Sequence, residues 1–343
     1  MKNRNRPAAW LSALGMALAV AACGGGGGGG GGGGTALTST PANARNGDYQ
    51  MYAADARVYT LNLDFDTGAY RITGNGLDAT GEFSLRNTAK GEYALDAGTA
   101  IPAPGSPRFH LVDNTLVGAF RLPSGTVPFI ASRSFVTSLA EAAGTYHFLT
   151  RELDPAAPND NSSIFDGELQ AGGTFRFCND FGVFSMAACP PASVVTAAVT
   201  VQGDEFRGDA GGGAVFPFRV LKLGSSKVLL RASPAAGTLR RFWVGVPAGT
   251  RFGTASDYEG QNTNAQWTFD FTLDAATYSA NWLGGGSNFI RSGTASETLP
   301  GLLNIVTPDV GNFFATRADN LLVLSSARNN PTVPGYFELA VKP

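Results

Sequence analysis

Tyr59-Thr60-Leu61-Asn62-Leu63-Asp64-Phe65-Asp66-Thr67-Gly68-Ala69-Tyr70-Arg71-Ile72 decides the fold class. Its apolar residues occupy every second position, 59, 61, 63 and 65, with Thr, Asn and Asp between them. That period belongs to a strand with one buried face. Thr67-Gly68 supplies turn chemistry, and Tyr70 and Ile72 resume the alternation on a returning strand. The stretch reads as a β-hairpin.

The pattern returns. Trp267, Phe269, Phe271 and Leu273 alternate with Thr268, Asp270, Thr272 and Asp274 before Tyr278, and a looser copy runs Phe165, Gly167, Leu169, Gly172-Gly173, Phe175 and Phe177. Each hairpin has a similar entry: NGDYQMY at 46–52, AGTYHFL at 143–149 and AGTRFGT at 248–254. Each also has a matching exit: VGAFRLPSGTVPFIASRSFVTSL, then VFPFRVLKLGSSKVLLRAS with RRFWVGV, then VGNFFATRADNLLVLSSARN with GYFELAV. Ordered recurrence of this kind marks tandem copies. The expected modules are 47–142, 143–247 and 248–343, each of about seven short strands. The fold class is therefore all-β: tandem antiparallel meander modules, closing as small barrels or sandwiches packed end to end, with a β-propeller as the alternative. Helix is nearly absent, with a short turn over Ser138 to Ala143 as the best candidate.

Ahead of the modules lies a different kind of sequence. Lys2, Arg4 and Arg6 precede an apolar run from Ala8 to Val20 and the small residues Ala21 and Ala22, which reads as a signal peptide over 1–22, too short for a membrane span. Val20-Ala21-Ala22-Cys23 resembles a bacterial lipobox, and Gly24 to Gly34 is an unbroken glycine run. Glycine has no side chain to bury and the most backbone entropy to lose, so residues 23–46 are expected to be a disordered Gly-rich tether. A phosphate-binding glycine loop would need a preceding strand and a Gly-Lys-Ser/Thr ending, and the run has neither. Residues 20–34 resemble Gram-negative surface lipoproteins of the transferrin-binding and complement-regulator-binding type. The resemblance implies lipid on Cys23, a membrane partner through that lipid, and an outer-membrane address facing the periplasm or the cell surface. Several acyl chains on one cysteine would give a firm anchor.

Without residues 1–22, the 25 Lys and Arg fall to 22 against 27 Asp and Glu, a net charge of about −5 with no basic stripe. This argues against a nucleic-acid partner. Cys178 and Cys189 remain as a pair with no metal-ligand spacing and no nearby histidine. In an oxidising compartment they are expected to form a disulfide worth about 2–3 kcal/mol; a redox-active pair or two free thiols are the alternatives.

Residues with chemical potential are few. The two histidines, His110 and His147, lie in different copies, each on a strand, and read as outward-facing surface residues. No HExxH, GxSxG or metal-spaced Cys/His cluster occurs, so no cofactor or metal is expected. Asp64, Asp66, Asp270 and Asp274 fall on solvent faces of strands, although paired carboxylates would be the route to glycoside hydrolysis. The loop Asp154 to Asn161 is rich in oxygen donors, suited at most to a weak calcium ion. Trp243 and Trp267 read as core, whereas Trp282, beside Gly284-Gly285-Gly286, is the candidate binding residue on a loop. The expectation is a non-enzymatic binding or adhesion module with a protein or glycan ligand. A structural envelope or secretion-assembly lipoprotein is the alternative, and a polysaccharide-acting enzyme the least favoured.

Overall fold

The computed structural model describes residues 43–95, 107–122, 125–154, 156, 160–180, 183–233, 239–249, 251–284 and 287–343. The expected signal peptide over 1–22, the lipidation site Cys23 and most of the 23–46 tether lie outside them. The last residues of that segment, 43–46, are fixed rather than loose. The Asn46 side chain donates to Asp64 and Asp66 and accepts from the Phe65 backbone N–H, and Asp66 also caps the Asn43 N–H.

The hairpins form as their alternation requires, and they close into three antiparallel barrels in tandem. Barrel 1 comprises β1 (Gly47–Ala53), β2 (Arg57–Asp64), β3 (Ala69–Gly74), β4 (Leu77–Glu82), β5 (Ser84–Asn87), β6 (Glu92–Ala94), β7 (Arg108–Val112), β8 (Thr115–Leu122) and β9 (Gly125–Ser132). A short helix α1 (Leu139–Ala142), N-capped by Ser138, leads to the next barrel. Barrel 2 is β10 (Gly144–Leu153), β11 (Asn161–Gln170), β12 (Thr174–Cys178), β13 (Val194–Gln202), β14 (Glu205–Asp209), β15 (Val215–Leu223), β16 (Ser226–Ala232) and β17 (Arg240–Pro247). Barrel 3 is β18 (Ala255–Asn262), β19 (Trp267–Leu273), β20 (Thr277–Gly284), β21 (Ser287–Leu299), β22 (Leu302–Thr307), β23 (Gly311–Ala318), β24 (Leu321–Ser326) and β25 (Phe337–Val341).

Barrels 2 and 3 are closed rings of eight strands, one more than the seven expected. In barrel 1 the sheet runs from β4 round to β5, and only Phe83 separates those two strands in the chain. They correspond to one bent strand. In barrel 3 its counterpart β21 is unbroken and pairs with β20 along its first half and β22 along its second. Neither a sandwich nor a propeller forms.

The exits of the three copies recur because they do the same job. β8 and β9, β16 and β17, and β24 and β25 are buried along most of their length on both faces. On β17, Trp243 points into barrel 2, while Phe242 and Val244 join an apolar cluster shared with barrels 1 and 3. On β24, Leu322 and Leu324 face the barrel 3 interior, while Leu321 and Val323 enter that shared cluster. Two-sided burial is why these strands read as continuous apolar runs. Each large side chain buried there contributes about 2 kcal/mol.

The barrels therefore do not pack end to end. β1 packs on β16, β10 on β24, and β18 on β8, so the first strand of each barrel lies on the seventh of the next and the cycle closes. Polar contacts reinforce it. Arg219 donates to the Tyr52 hydroxyl between barrels 2 and 1, and Ser162 bonds Ser326 between barrels 2 and 3.

Candidate functional site

Both histidines are buried, at 1% exposure for His110 and 2% for His147, which corrects the expectation of surface residues. They are seam residues between barrels. His147 Nδ1 lies 2.6 Å from Asp166 Oδ1 and Nε2 lies 2.9 Å from the Pro300 carbonyl, so both nitrogens face acceptors. Burial alone lowers the His147 pKa, but the hydrogen bond and charge of Asp166, with the Pro300 carbonyl, outweigh it and the net direction is upward. His110 stacks on Trp267 at 5.6 Å and has Glu259 at 3.6 Å, and burial leaves its pKa lowered.

Trp282 is not on a loop. It lies in β20 at 1% exposure, stacked on Tyr336, with its indole N–H donated to the Tyr278 hydroxyl. Trp267 is buried, but at the seam with barrel 1 rather than inside its own barrel. Asp270, at φ 48°, sits where the register between β19 and β20 shifts, and this bulge breaks the alternation on which the one-face reading rested. The four strand aspartates keep turn and surface roles; Asp274 caps the Ala276 and Thr277 N–H groups. Part of the loop from Asp154 to Asn161 lies outside the described residues. Among the described residues, no group of three or more His, Cys, Asp or Glu is placed to hold a metal ion.

The open chemistry lies at one end of barrel 2. There residues of seven strands bound a cavity of about 210 Å³, walled by Phe165, Phe177, Phe216 and Trp243. The floor is dense with rings: Phe148 stacks on Phe165 at 4.9 Å and meets Phe175 and Trp243 edge-on. Glycine makes that density reachable, since a Cβ on Gly208 would fall 2.4 Å from the Phe216 ring and one on Gly245 2.4 Å from Phe148. At the rim, Cys178 is bonded to Cys189, the pairing expected of the two cysteines left beside Cys23, and the bridge closes the loop between β12 and β13 where Cys178 and Asn179 line the cavity.

Three charges meet at this mouth. Glu152, 4% exposed, accepts from Arg241 and Ser163 on one oxygen and from Arg328 on the other. Arg231 lies over Trp243 at 4.1 Å and over Phe216 at 4.9 Å. Its Nε is buried with no hydrogen-bond partner, and the Trp243 indole N–H is in the same condition. Burial, with Arg241 adding like charge, pushes the Arg231 pKa down to about 10.

The other described tryptophans provide a comparison. Arg108 lies over Trp267 at 4.4 Å and Arg291 over Trp282 at 4.0 Å. In both cases a carboxylate completes the group: Glu92 at 3.0 Å from Arg108 and Asp309 at 3.1 Å from Arg291. Arg231 has no such partner among the described residues, and it lines an open cavity. A second hollow, about 310 Å³, lies between barrels 2 and 3, where Arg317 donates to the Thr254 carbonyl and Asp319 accepts from Ser225.

Fold and site together define a ring of three β-barrels with one aromatic, cationic mouth. No known protein family matches the chain, and no curated protein matches it. Among solved structures, the DNA polymerase sliding clamp from Pseudomonas aeruginosa with ligand is matched over 88% of this chain and 93% of that chain. The identity is 6% and the TM-score 0.13, a likeness too slight to bear on fold or function.

Proposed function

We propose that this chain is a lipid-anchored cell-envelope protein of the outer membrane that acts as a binding module, with the mouth of barrel 2 as its ligand site. The observation that carries the binding reading is Arg231, a guanidinium held in an open aromatic cavity without the carboxylate that accompanies its two counterparts. A buried polar group without a partner costs stability, and such a cost is commonly retained where a ligand supplies the partner. Glu152 has both oxygens engaged by guanidinium groups, which favours a structural role for it over proton transfer. The anchor rests on Val20-Ala21-Ala22-Cys23 and the glycine run behind it, which together give a lipid attachment point and a spacer.

Radiolabelled palmitate supplied to growing cells is expected to label the wild-type chain and to leave Cys23→Ser unlabelled. Protease added to intact cells is expected to release fragments of the barrel body. Labelling that survives Cys23→Ser contradicts the anchor, and full protection contradicts display at the cell surface.

A further inference from the structure

The cavity in barrel 2 has a size, a charge and a set of donors, and each narrows what can fill it. A dry cavity of about 150 Å³ holds a benzene molecule. At about 210 Å³, this one holds a single six-membered ring and one small substituent, while a long acyl chain or a disaccharide exceeds it. Its walls favour a flat apolar body: Phe177 lies edge-on to Trp243 at 5.5 Å and to Phe216 at 6.3 Å, so the rings bound the space from different sides.

Charge sets the substituent. Glu152 is already answered by Arg241 and Arg328, which leaves the Arg231 guanidinium as the charge without a counterpart. With one carboxylate set against the guanidinium groups of Arg231, Arg241 and Arg328, the mouth carries excess positive charge and favours an anionic substituent. Arg231 lies over Trp243 in the cavity lining, and a guanidinium takes a carboxylate through two parallel hydrogen bonds.

On the reading that the barrel 2 mouth is a ligand site, we propose that its ligand is a small aromatic carboxylate, with the carboxylate on Arg231 and the ring among Phe177, Phe216 and Trp243. This places in the ligand the carboxylate that Glu92 and Asp309 supply at the other two arginine–tryptophan pairs. The association is reversible and needs no chemistry from the protein.

The test uses the full chain carrying Cys23→Ser, so that no detergent is present, and two probes of matched shape, benzoate and benzyl alcohol. Binding is measured by calorimetry, and its location by the Trp243 indole N–H resonance, assigned with Trp243→Phe. Benzoate is expected to shift that resonance and to bind about tenfold or more tighter than benzyl alcohol, as a charged hydrogen bond in a desolvated site requires. Arg231→Met is expected to remove the preference while leaving a folded protein, shown by unchanged resonances of Trp267 and Trp282. If both probes shift Trp243 with equal affinity, or the preference survives Arg231→Met, the carboxylate class is wrong and the cavity remains a binding site for neutral ligands. If neither probe moves the Trp243 resonance, the ligand-site reading fails with it.

Discussion

A guanidinium laid on an indole is stabilised by the ring quadrupole, by about 0.5–2 kcal/mol, and that is less than the cost of burying a cation with nothing to receive its N–H groups. Arg231 and Arg108 share the stack, and each has a buried Nε without a partner, but Arg108 has Glu92 as counter-charge whereas Arg231 has no carboxylate partner among the described residues. Opposite responses to the same substitution follow. Without ligand, Arg231→Met is expected to raise the thermal midpoint by a few degrees, since it removes an unanswered charge and keeps the apolar stem. Arg108→Met is expected to lower it, since Glu92, 7% exposed, would lose its nearest cation. Thermal unfolding of the two variants beside the wild type decides the matter, and a fall in both would show Arg231 to be a structural residue like its counterpart.

At the scale of the element, the seams between barrels carry the titrating groups, and their pH dependence has two opposite signs. The folded pKa of His147 is raised through Asp166 and Pro300 on β11 and the β21–β22 turn. Its contribution is therefore complete below the unfolded histidine pKa of about 6.5 and lost as pH rises through the folded value. The folded pKa of His110 is lowered by burial among Lys90, Glu92, Glu259 and Trp267, so its contribution is present above about 6.5 and lost as pH falls through the folded value. His147→Asn is expected to cost most below pH 6 and progressively less on the alkaline side, by about 1–3 kcal/mol at its largest. Denaturation midpoints across pH 5–9 measure this, and a deficit that does not change with pH would contradict the charged seam. The strand elements themselves were legible, because the period of 2 in Tyr59 to Ile72 is local and needs no tertiary context to read. What was not legible is which side of a strand meets another barrel. His147 sits on the outer register of β10, and a sequence does not reveal that β24 covers that face. The bulge at Asp270 misled the reading of Trp267 for a related reason, since one left-handed residue reverses every side chain before it. The site did leave a trace: Arg231 follows the apolar run Val228-Leu229-Leu230 in β16 and pairs in register with Trp243. Composition and motif spacing are blind to such a feature.

Across the whole molecule, the three copies have been made to do different work on one plan. The first strand of each barrel lies on the seventh of the next, and the two-sided exit strands fill the shared apolar cluster, so the copies hold one another in place. Their interiors have diverged: barrel 3 encloses the fully buried Glu338, bonded by Tyr336 and Thr268, while barrel 2 keeps an open aromatic end. Among the described residues, one of the three arginine–tryptophan pairs lacks a carboxylate, so threefold architecture is joined to a single site. The most direct test of that claim is the stoichiometry of benzoate bound to the full chain, measured by titration calorimetry on the wild type and on Arg231→Met. The account predicts one benzoate per chain, lost in the variant. Three equivalent sites, or one site that survives Arg231→Met, would contradict it.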